Sequence, residues 1–434
     1  MMRSISILIV FFLLTISLHG QPVNKYIKQK KVAKIINTLA ADDMRGRSAL
    51  SPADINKAAA FIENEFKKAG LQPLAGASSY RQEFQKEKLS LVNMEVLADG
   101  KPIPLDRLIL SSDAETINLD LNTPIDTIGS SQQLFPSLSA IERKGGNKIV
   151  LVASEHEANF RIAQNYLGRP KIQDPGAASG TKSIVYLLGL DAPRSISVSA
   201  NQKREIITMA NVLGILPAKV TTKESVIFSG HYDHIGIEEP VQGDSIANGA
   251  DDDASGTTAV IALAKYFSKI ETNKRNLIFA AFTAEEIGGY GSKYFSKQLD
   301  PDNIIAMFNI EMIGKPSKWG QNAAFITGFE RSDFGKILQK NLEGTPFQIH
   351  PDPYPEQNLF YRSDNATLAR LGVPAHSIST DQIPTDPYYH TVNDEVGTLD
   401  MANITAAIRG IALSSKSIVE GIDTPTRVDK SQVN

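Results

Sequence analysis

Short runs of almost wholly apolar residues follow one another through the second half of the chain, with a helix-like segment between the first two. Three such runs are Val226 to Phe228, Leu277 to Phe282 and Ile304 to Ile310, and Thr257 to Ile270 has helical spacing. These runs do not alternate apolar and polar residues, which indicates a sheet that is covered on both faces. The sequence therefore predicts a three-layer α/β/α fold with a mostly parallel central sheet, and such folds bind ligands beyond the carboxyl ends of the strands.

The chain of 434 residues is long enough for a large domain and a smaller one. We predict that residues 21–92 and 201–422 form one discontinuous domain, and that residues 423–434 form a polar tail. Residues 93–200 contain short apolar runs broken by Gly and Pro, which predicts a smaller β-rich inserted domain. The net charge of −3 gives no basic surface for nucleic acid or for an anionic membrane.

The first twenty residues resemble an export signal. Met1-Met-Arg3 is positively charged, Ile5 to Leu18 is almost wholly apolar, and Gly20 is a small residue before Gln21. The apolar run is shorter than the roughly 20 residues that span a bilayer, which favours a cleaved signal peptide over an uncleaved anchor. We expect an exported protein, periplasmic or extracellular, without stable membrane association after cleavage. The chain has no cysteine, so neither disulfides nor a lipid-modified cysteine contribute.

Polar groups able to bind metal stand at the ends of these apolar runs. His231 and Asp233 follow the first run and, by strand alternation, face the same way. His231 is a candidate metal ligand and Asp233 a candidate acceptor for its second ring N–H, although a purely structural hydrogen-bonded pair fits equally well. His234 is a poorer candidate, because alternation points it to the opposite side.

Three consecutive acids, Asp251, Asp252 and Asp253, precede the predicted helix at Thr257. Capping of the helix explains one acid, but three crowd like charges into a short loop. A divalent cation would relieve that repulsion, and the spacing is not that of a calcium-binding EF loop. We therefore favour a metal site here.

Three further segments supply acids or imidazole. Glu285 and Glu286 follow the second apolar run, and their adjacency suggests that one binds metal while the other moves a proton; a solvated pair at a helix start is the alternative. Glu311 ends an apolar strand, where an unpartnered charge is costly to bury. His390 lies in a loop, where a single histidine is usually solvated. The order and number of these groups favour one metal centre.

Together, Ser229-Gly-His-Tyr-Asp233, Gly249-Ala-Asp-Asp-Asp-Ala-Ser-Gly256 and Ala284-Glu-Glu286 resemble the motifs of the two-zinc peptidases of clan MH. That group includes bacterial leucyl aminopeptidase, aminopeptidase Y and relatives of glutamate carboxypeptidase II. The resemblance runs from about Asp42, in Asp-Asp-Met-Arg-Gly-Arg47, to about Gly421. Residues 93–200 match only loosely the protease-associated insertion of many members.

The resemblance implies an exopeptidase with two zinc ions per chain and a peptide substrate, most often an aminopeptidase. It implies a hydroxide between the metals, Glu285 as general base, Asp233 as an orienting acid, Tyr361 as a group that polarises the substrate carbonyl, and a cis peptide bond between Asp252 and Asp253. The metal ligands that it implies are His231 with Glu311 at one zinc, Glu286 with His390 at the other, and Asp252 between them.

Two departures from the family pattern stand out. Glu311 replaces a more usual aspartate, and Ser363-Asp-Asn365 replaces a usual Ser-Asp-His. Two other functions suit the same fold: a glutaminyl cyclase with a single zinc, which would not need His231, and a non-catalytic receptor-like protein that has lost metal ligands. The presence of ligand-capable groups at all five positions favours the peptidase.

Overall fold

The computed structural model describes residues 21–433, and the predicted signal peptide at residues 1–20 lies outside them. In chain order the helices are α1 (Gln21–Tyr26), α2 (Gln29–Leu39), α3 (Pro52–Ala69), α4 (Leu134–Lys144), α5 (Glu157–Leu167), α6 (Gly256–Ile270), α7 (Tyr290–Ser296), α8 (Phe334–Asn341), α9 (Asn365–Ala369), α10 (Met401–Ser414) and α11 (Lys416–Val419). None of the helices in this described part is long and apolar enough to cross a membrane.

The strands divide between two compact units, one formed by the chain up to Gln82 and from Ala210 onward, the other by Glu83–Met209. Whether the second unit is a protease-associated domain stays a prediction. In chain order the strands are β1 (Arg81–Ala98), β2 (Lys101–Pro102), β3 (Leu108–Ser112), β4 (Thr116–Asp120), β5 (Ile125–Ile128), β6 (Gly146–Val152), β7 (Lys171–Gln173), β8 (Lys182–Leu188), β9 (Ile196–Leu216), β10 (Ser225–His231), β11 (Gly236–Val241), β12 (Asp244–Ala247), β13 (Asn276–Phe282), β14 (Ile304–Ile310), β15 (Ala323–Ile326), β16 (Gln348–Pro351) and β17 (Ala375–Ser379).

In the first unit the strands form a mixed, mostly parallel sheet in the order β16-β15-β17-β14-β10-β13-β9. Strand β10 is central and pairs in parallel with both β13 and β14, and β14 pairs in parallel with β17. The end of β9 pairs antiparallel with β13, and β15 pairs antiparallel with β17. The predicted α/β fold class is thus confirmed.

Both faces of this sheet are buried, which explains the absence of alternation in the sequence. Val226 and Phe228 of β10 pack into one apolar cluster with residues of α2, α3, α6 and α10. Ile227 between them packs into a second cluster, which includes Phe295 of α7 and Leu368 of α9. Successive residues of a strand point to opposite faces, so helices on both sides give the three predicted layers.

The second unit contains a four-stranded sheet in the order β3-β8-β6-β5. Its core includes Val150 and Tyr186 from the strands and Leu138 and Phe160 from α4 and α5. Residues 154–166 have helical spacing, which predicts a helix close to α5, whereas α4 was not predicted; its first turn contains Pro136, a position that a helix tolerates.

The carboxyl-terminal region differs from its prediction in two respects. The helical spacing of residues 402–422 predicts one long helix, but the structure divides it at Ser415 into α10 and α11. The residues after Asp423 are polar, yet part of them packs on the first unit: Val428 is buried, and Arg427 donates a 2.7 Å hydrogen bond to the carbonyl of Ile304.

Candidate metal centre

The five predicted metal ligands and Glu285 meet at the carboxyl edge of the central strands. Parallel strands end at the same edge, so groups far apart in sequence become neighbours there. His231 is the last residue of β10, Glu285 and Glu286 follow β13, Glu311 follows β14, His390 lies in the loop after β17, and Asp252 precedes α6.

His231, Asp252 and Glu311 form one group of possible metal ligands. Nε2 of His231 lies 3.2 Å from Oε1 of Glu311 and 3.2 Å from Oδ1 of Asp252. The imidazole of His231 is almost fully buried. Its other ring nitrogen, Nδ1, lies 3.1 Å from the carbonyl oxygen of Asp233, which fixes the plane of the ring.

His390 and Glu286 lie on the other side of Asp252. Nε2 of His390 is 3.2 Å from Oδ2 of Asp252 and 3.1 Å from Oε2 of Glu286. The backbone of His390 is left-handed, with φ of 55°, a conformation that non-glycine residues adopt infrequently. The side chain is the most exposed of the cluster, with a relative exposure of 40%.

Asp252 therefore presents one oxygen to each imidazole. A tetrahedral zinc ion with bonds of about 2.0 Å would hold its ligand atoms about 3.3 Å apart. The separations of 3.1–3.2 Å between these donor atoms fit such an ion on either side of Asp252. The peptide bond between Asp252 and Asp253 is cis, as the family resemblance implied.

The two acids beside Asp252 have protein partners of their own. Asp253 accepts hydrogen bonds from the backbone N–H groups of Gly256 and Met312, at 2.9 and 3.1 Å. Asp251 accepts from the N–H of Gly314 at 2.7 Å and pairs with the ammonium of Lys315 at 3.1 Å. Repulsion within the triplet is thus relieved largely by the protein, and the central acid is the one directed at the imidazoles.

The carboxylate of Asp233 is used differently from the expectation. Oδ1 is 3.7 Å from Nδ1 of His231, too far for a hydrogen bond, and the carbonyl of Asp233 is the nearer acceptor. The carboxylate instead accepts from the backbone N–H groups of Glu285 and Glu286, at 3.2 and 3.4 Å. Asp233 therefore holds the turn that carries both glutamates.

Charge and burial shift the pKa values of these groups. Burial and nearby Asp252 raise the pKa of Glu286, but His234 and His390 outweigh them and bring it to about 2. Burial lowers the pKa of His390, but its hydrogen bonds to Asp252 and Glu286 raise it to about 10. The two carboxylates thus favour the protonated, positively charged form of His390, and a divalent cation can bind in place of that proton.

Glu285 lines a cavity together with His231, Asp252 and Glu311. Burial raises its pKa well above the ordinary value; His231 opposes this effect, and the nearby acids Asp364 and Glu311 add to it. A carboxyl group with a raised pKa that lies beside candidate metal ligands is suited to proton transfer.

Tyr361 is not among the residues brought into this cluster. Its hydroxyl accepts a hydrogen bond from Arg331 at 3.1 Å and lies 3.4 Å from the carbonyl oxygen of Gln432. Tyr389 is the tyrosine found among the described residues that line the cavity. Its ring stacks on that of His390, with the two centroids 3.9 Å apart. Tyr389 was not singled out in the sequence, although it adjoins the predicted ligand His390.

Two further residues at the site were not predicted to act there. Nδ1 of His234 lies 2.7 Å from Oε1 of Glu286, so its side chain faces the cluster despite the alternation argument. The hydroxyl of Ser363 donates a 2.6 Å hydrogen bond to Oε2 of Glu311 and accepts one of 2.7 Å from Asn309. The side chain of Glu311 is longer than the aspartate usual in the family. Ser363 restrains this longer side chain and leaves its Oε1 facing His231.

Known proteins share this part of the chain. Residues 211–414 match the model of peptidase family M28. Over 203 residues the chain is 29% identical to a probable leucine aminopeptidase of Trichophyton verrucosum, a match that covers 44% of this chain and 51% of the relative. Over 110 residues it is 33% identical to a probable zinc metalloprotease of Pyrenophora tritici-repentis, covering 25% of this chain and 22% of the relative. The chain spans about half or less of the length of these curated relatives.

Solved structures resemble nearly the whole chain. An aminopeptidase from Aneurinibacillus sp. strain AM-1 has a TM-score of 0.60 and 20% identity, covering 96% of this chain and 98% of that structure. A likeness at this identity shows the fold. The match over residues 211–414, which contain the whole candidate centre, confirms the predicted family resemblance.

Proposed function

Because residues 211–414 match the model of peptidase family M28, we propose that this chain is a zinc-dependent exopeptidase, specifically an aminopeptidase that hydrolyses N-terminal peptide bonds. Two zinc ions would be held, the first by His231 and Glu311 and the second by Glu286 and His390, with Asp252 shared between them. The observation that carries the proposal is the placement of the two Asp252 oxygens, each 3.2 Å from a different imidazole. Bound zinc supplies Lewis acidity toward a carbonyl oxygen and lowers the pKa of water.

Within this proposal Glu285 moves the proton. Its carboxylate accepts a proton from the attacking water and donates it to the nitrogen of the departing amine. Asp233 supports this role by holding the backbone N–H of Glu285 at 3.2 Å, which fixes the turn from which the side chain projects. Tyr389 rather than Tyr361 is the cavity tyrosine available to orient a substrate.

We choose an aminopeptidase over a carboxypeptidase because of the named relatives. The charge of the cavity does not decide between them: Asp252, Glu285, Glu311 and Asp381 line it with Arg362, but two of these acids are proposed zinc ligands, whose charge the ions would offset. The names of two relatives, a leucine aminopeptidase and a zinc metalloprotease, agree with this choice.

The proposal is tested by metal content and by the requirement for a free amine. The metal-stripped full chain, titrated with zinc and analysed by atomic emission, should bind two ions, and Asp252→Asn should bind fewer. Aminoacyl-anilides with a free amine should be hydrolysed, whereas the same compounds with an acetylated amine should not.

Each alternative function gives a different result. Equal rates on the free and blocked anilides would refute the aminopeptidase. One zinc per chain, with formation of pyroglutamate at N-terminal glutamine and release of ammonia, would indicate a cyclase, and failure to bind zinc would indicate a receptor-like protein. Asp400→Asn is the control for Asp252→Asn, because Asp400 accepts from the backbone N–H groups of Ala402 and Asn403 at the start of α10, a helix that carries no proposed ligand.

We also propose that the protein is exported, on the basis of the charged start and apolar run in residues 1–20. The expected product of cleavage begins at Gln21. N-terminal sequencing of the protein purified from cells that express the full chain would test this, and an intact N-terminus at Met1 or Met2 would contradict it.

A further inference from the structure

His234 is a buried histidine at the metal centre that the proposed ligand set does not use. It is three residues beyond His231, and 1% of its surface is exposed. It lies close enough to Asp252 and Glu286 for the three to form a possible ligand group. We infer that His234 is a positioning residue: its Nδ1–H holds one oxygen of Glu286, and this sets the affinity of the second zinc site. The inference rests on the proposed two-zinc function.

The two oxygens of Glu286 are divided between two imidazoles. Oε1 lies 2.7 Å from Nδ1 of His234, and Oε2 lies 3.1 Å from Nε2 of His390. The contact of Nδ1 with Oδ2 of Asp252 is longer, at 3.9 Å, and is not a hydrogen bond. His234 therefore acts on Glu286 and leaves Oε2 as the oxygen that faces the proposed metal.

The surroundings of the ring assign its hydrogen. The carboxylate of Glu286 can only accept, so Nδ1 must carry the hydrogen of this bond. The other nitrogen, Nε2, is buried without a hydrogen-bond partner among the described residues. Among the described residues, Nδ1 is therefore the ring nitrogen through which His234 engages the candidate centre.

The fold also makes room for this ring. Gly249 lies against it: a Cβ at this position would be 2.4 Å from Cγ of His234, and the φ of 55° is one that glycine adopts without cost. On another side the ring meets that of His390 edge-on, with centroids 5.9 Å apart. The ring is thus packed in one orientation, with its Nδ1 directed at Glu286.

Loss of this donor should free Glu286 to rotate away from the proposed metal. Hydrogen-bond partners of metal ligands typically contribute about 10–100-fold to metal affinity. The effect should fall on the second zinc, because Glu286 is a proposed ligand of that ion. The first zinc, at His231 and Glu311, should be bound with nearly unchanged affinity.

Three substitutions distinguish the effect of the hydrogen-bond donor on zinc affinity from the effect of the ring volume. His234→Asn places an amide N–H near the position of Nδ1, His234→Gln places it near Nε2, and His234→Phe keeps a ring without a donor. Zinc affinities of the full-length variants are measured by competition with a chromophoric chelator, and melting temperatures in chelator report folding. His376→Asn is the control, because His376 is a fully buried histidine that bonds Ser332 and Thr327 instead.

The expected result is a second zinc bound 10–100-fold more weakly by the Gln and Phe variants, and within about threefold of the wild type by the Asn variant. The His376 control should keep both affinities even where its melting temperature falls. Wild-type affinity in the Gln and Phe variants would overturn the inference, as would an Asn variant as weak as Phe, since the latter would mean that the ring binds metal itself. If Phe does not fold, the Asn and Gln pair still decides. A wild type that binds fewer than two zinc ions would refute the proposed function and the inference with it.

Discussion

Arg47 ties the metal-binding loops together, and its replacement by lysine tests that role. The guanidinium is fully buried and donates to four backbone carbonyls. Nε bonds Tyr232 at 2.8 Å, Nη1 bonds Leu39 and Asn248 at 2.7 and 2.6 Å, and Nη2 bonds Gly249 at 2.9 Å. Tyr232 adjoins His231, and Gly249 begins the loop of Asp252. The side chain of Arg47 therefore fixes the distance between two segments that carry proposed metal ligands.

The size of the effect follows from the number of bonds. A hydrogen bond to a charged group contributes about 1.5–3 kcal/mol, and a buried carbonyl left unpaired costs about 1–3 kcal/mol. Lysine keeps the charge but has three donors on one atom and no planar fork, so it cannot reach four carbonyls set around a guanidinium. We expect Arg47→Lys to lower the free energy of unfolding by about 3 kcal/mol, equivalent to one bond lost and one carbonyl unpaired.

Arg275 offers a matched control. It is also buried and also has four acceptors: Glu224, Thr424 and the carbonyls of Ile418 and Asp423, at 2.6–2.8 Å. None of these acceptors belongs to a segment that carries a proposed ligand. Arg275→Lys should therefore cost a similar stability without a change in zinc affinity.

Urea unfolding of the metal-free variants measures the loss of stability. Zinc competition without urea, at a temperature at which both variants are folded, measures the loss of zinc affinity separately. Arg47→Lys should bind zinc at least tenfold more weakly than Arg275→Lys, because the loops that carry His231 and Asp252 lose their common anchor. Equal zinc affinities in two equally destabilised variants would refute the view that Arg47 spaces the ligands.

Three further substitutions give distinct readouts. Glu285→Gln should keep both zinc ions yet lower kcat by about 10²–10⁴-fold, since only proton transfer is removed; retained turnover in the anilide assay would contradict this. Ser363→Ala should weaken the first zinc about tenfold in chelator competition, because Glu311 loses the 2.6 Å bond to its Oε2, whereas unchanged affinity would show that the bond is dispensable. Burial lowers the pKa of His376 to about 4, below the ordinary value of about 6.5. Between pH 6.5 and pH 4 this histidine therefore binds a proton in the unfolded chain but not in the folded chain. The free energy of unfolding falls by up to about 3 kcal/mol as the pH drops through that range. His376→Asn should lose that part of the pH dependence of urea unfolding, and an unchanged slope would exclude His376 as its source.

The fold could be predicted where burial alone determines the residue pattern. Strand β14 begins and ends at the predicted residues, Ile304 and Ile310, because both of its faces are covered and the apolar run and the strand coincide. The short apolar segment 211–216 predicts a strand as well, but β9 begins earlier, at Ile196. Its earlier part alternates buried and exposed residues and includes charged ones, so the apolar run marks only the section inside the central sheet.

His234 shows where a local rule fails. The alternation argument assumes that the strand continues, but β10 ends at His231, and beyond it the chain turns toward Ser48, with which His234 forms an isolated bridge. The direction of a side chain in a turn depends on contacts with distant segments, here the backbone of Arg47 and the face of Gly249. The Arg-Gly-Arg47 motif was recognised only as a family feature for the same reason, since three of the four acceptors of Arg47 are 185–202 residues away.

The acidic triplet shows why chemistry could be assigned to a segment but not fully to its residues. Asp251, Asp252 and Asp253 are the same residue type in one loop, so no local property separates them. The distinction comes from distant donors: Lys315 and the N–H of Gly314 engage the first, the N–H of Met312 engages the third, and imidazoles face the second. Two acids bonded by the protein form a rigid frame around the central acid, whose two carboxylate oxygens contact the imidazoles on its two sides. It follows that the flanking acids affect metal affinity here through the position they give Asp252.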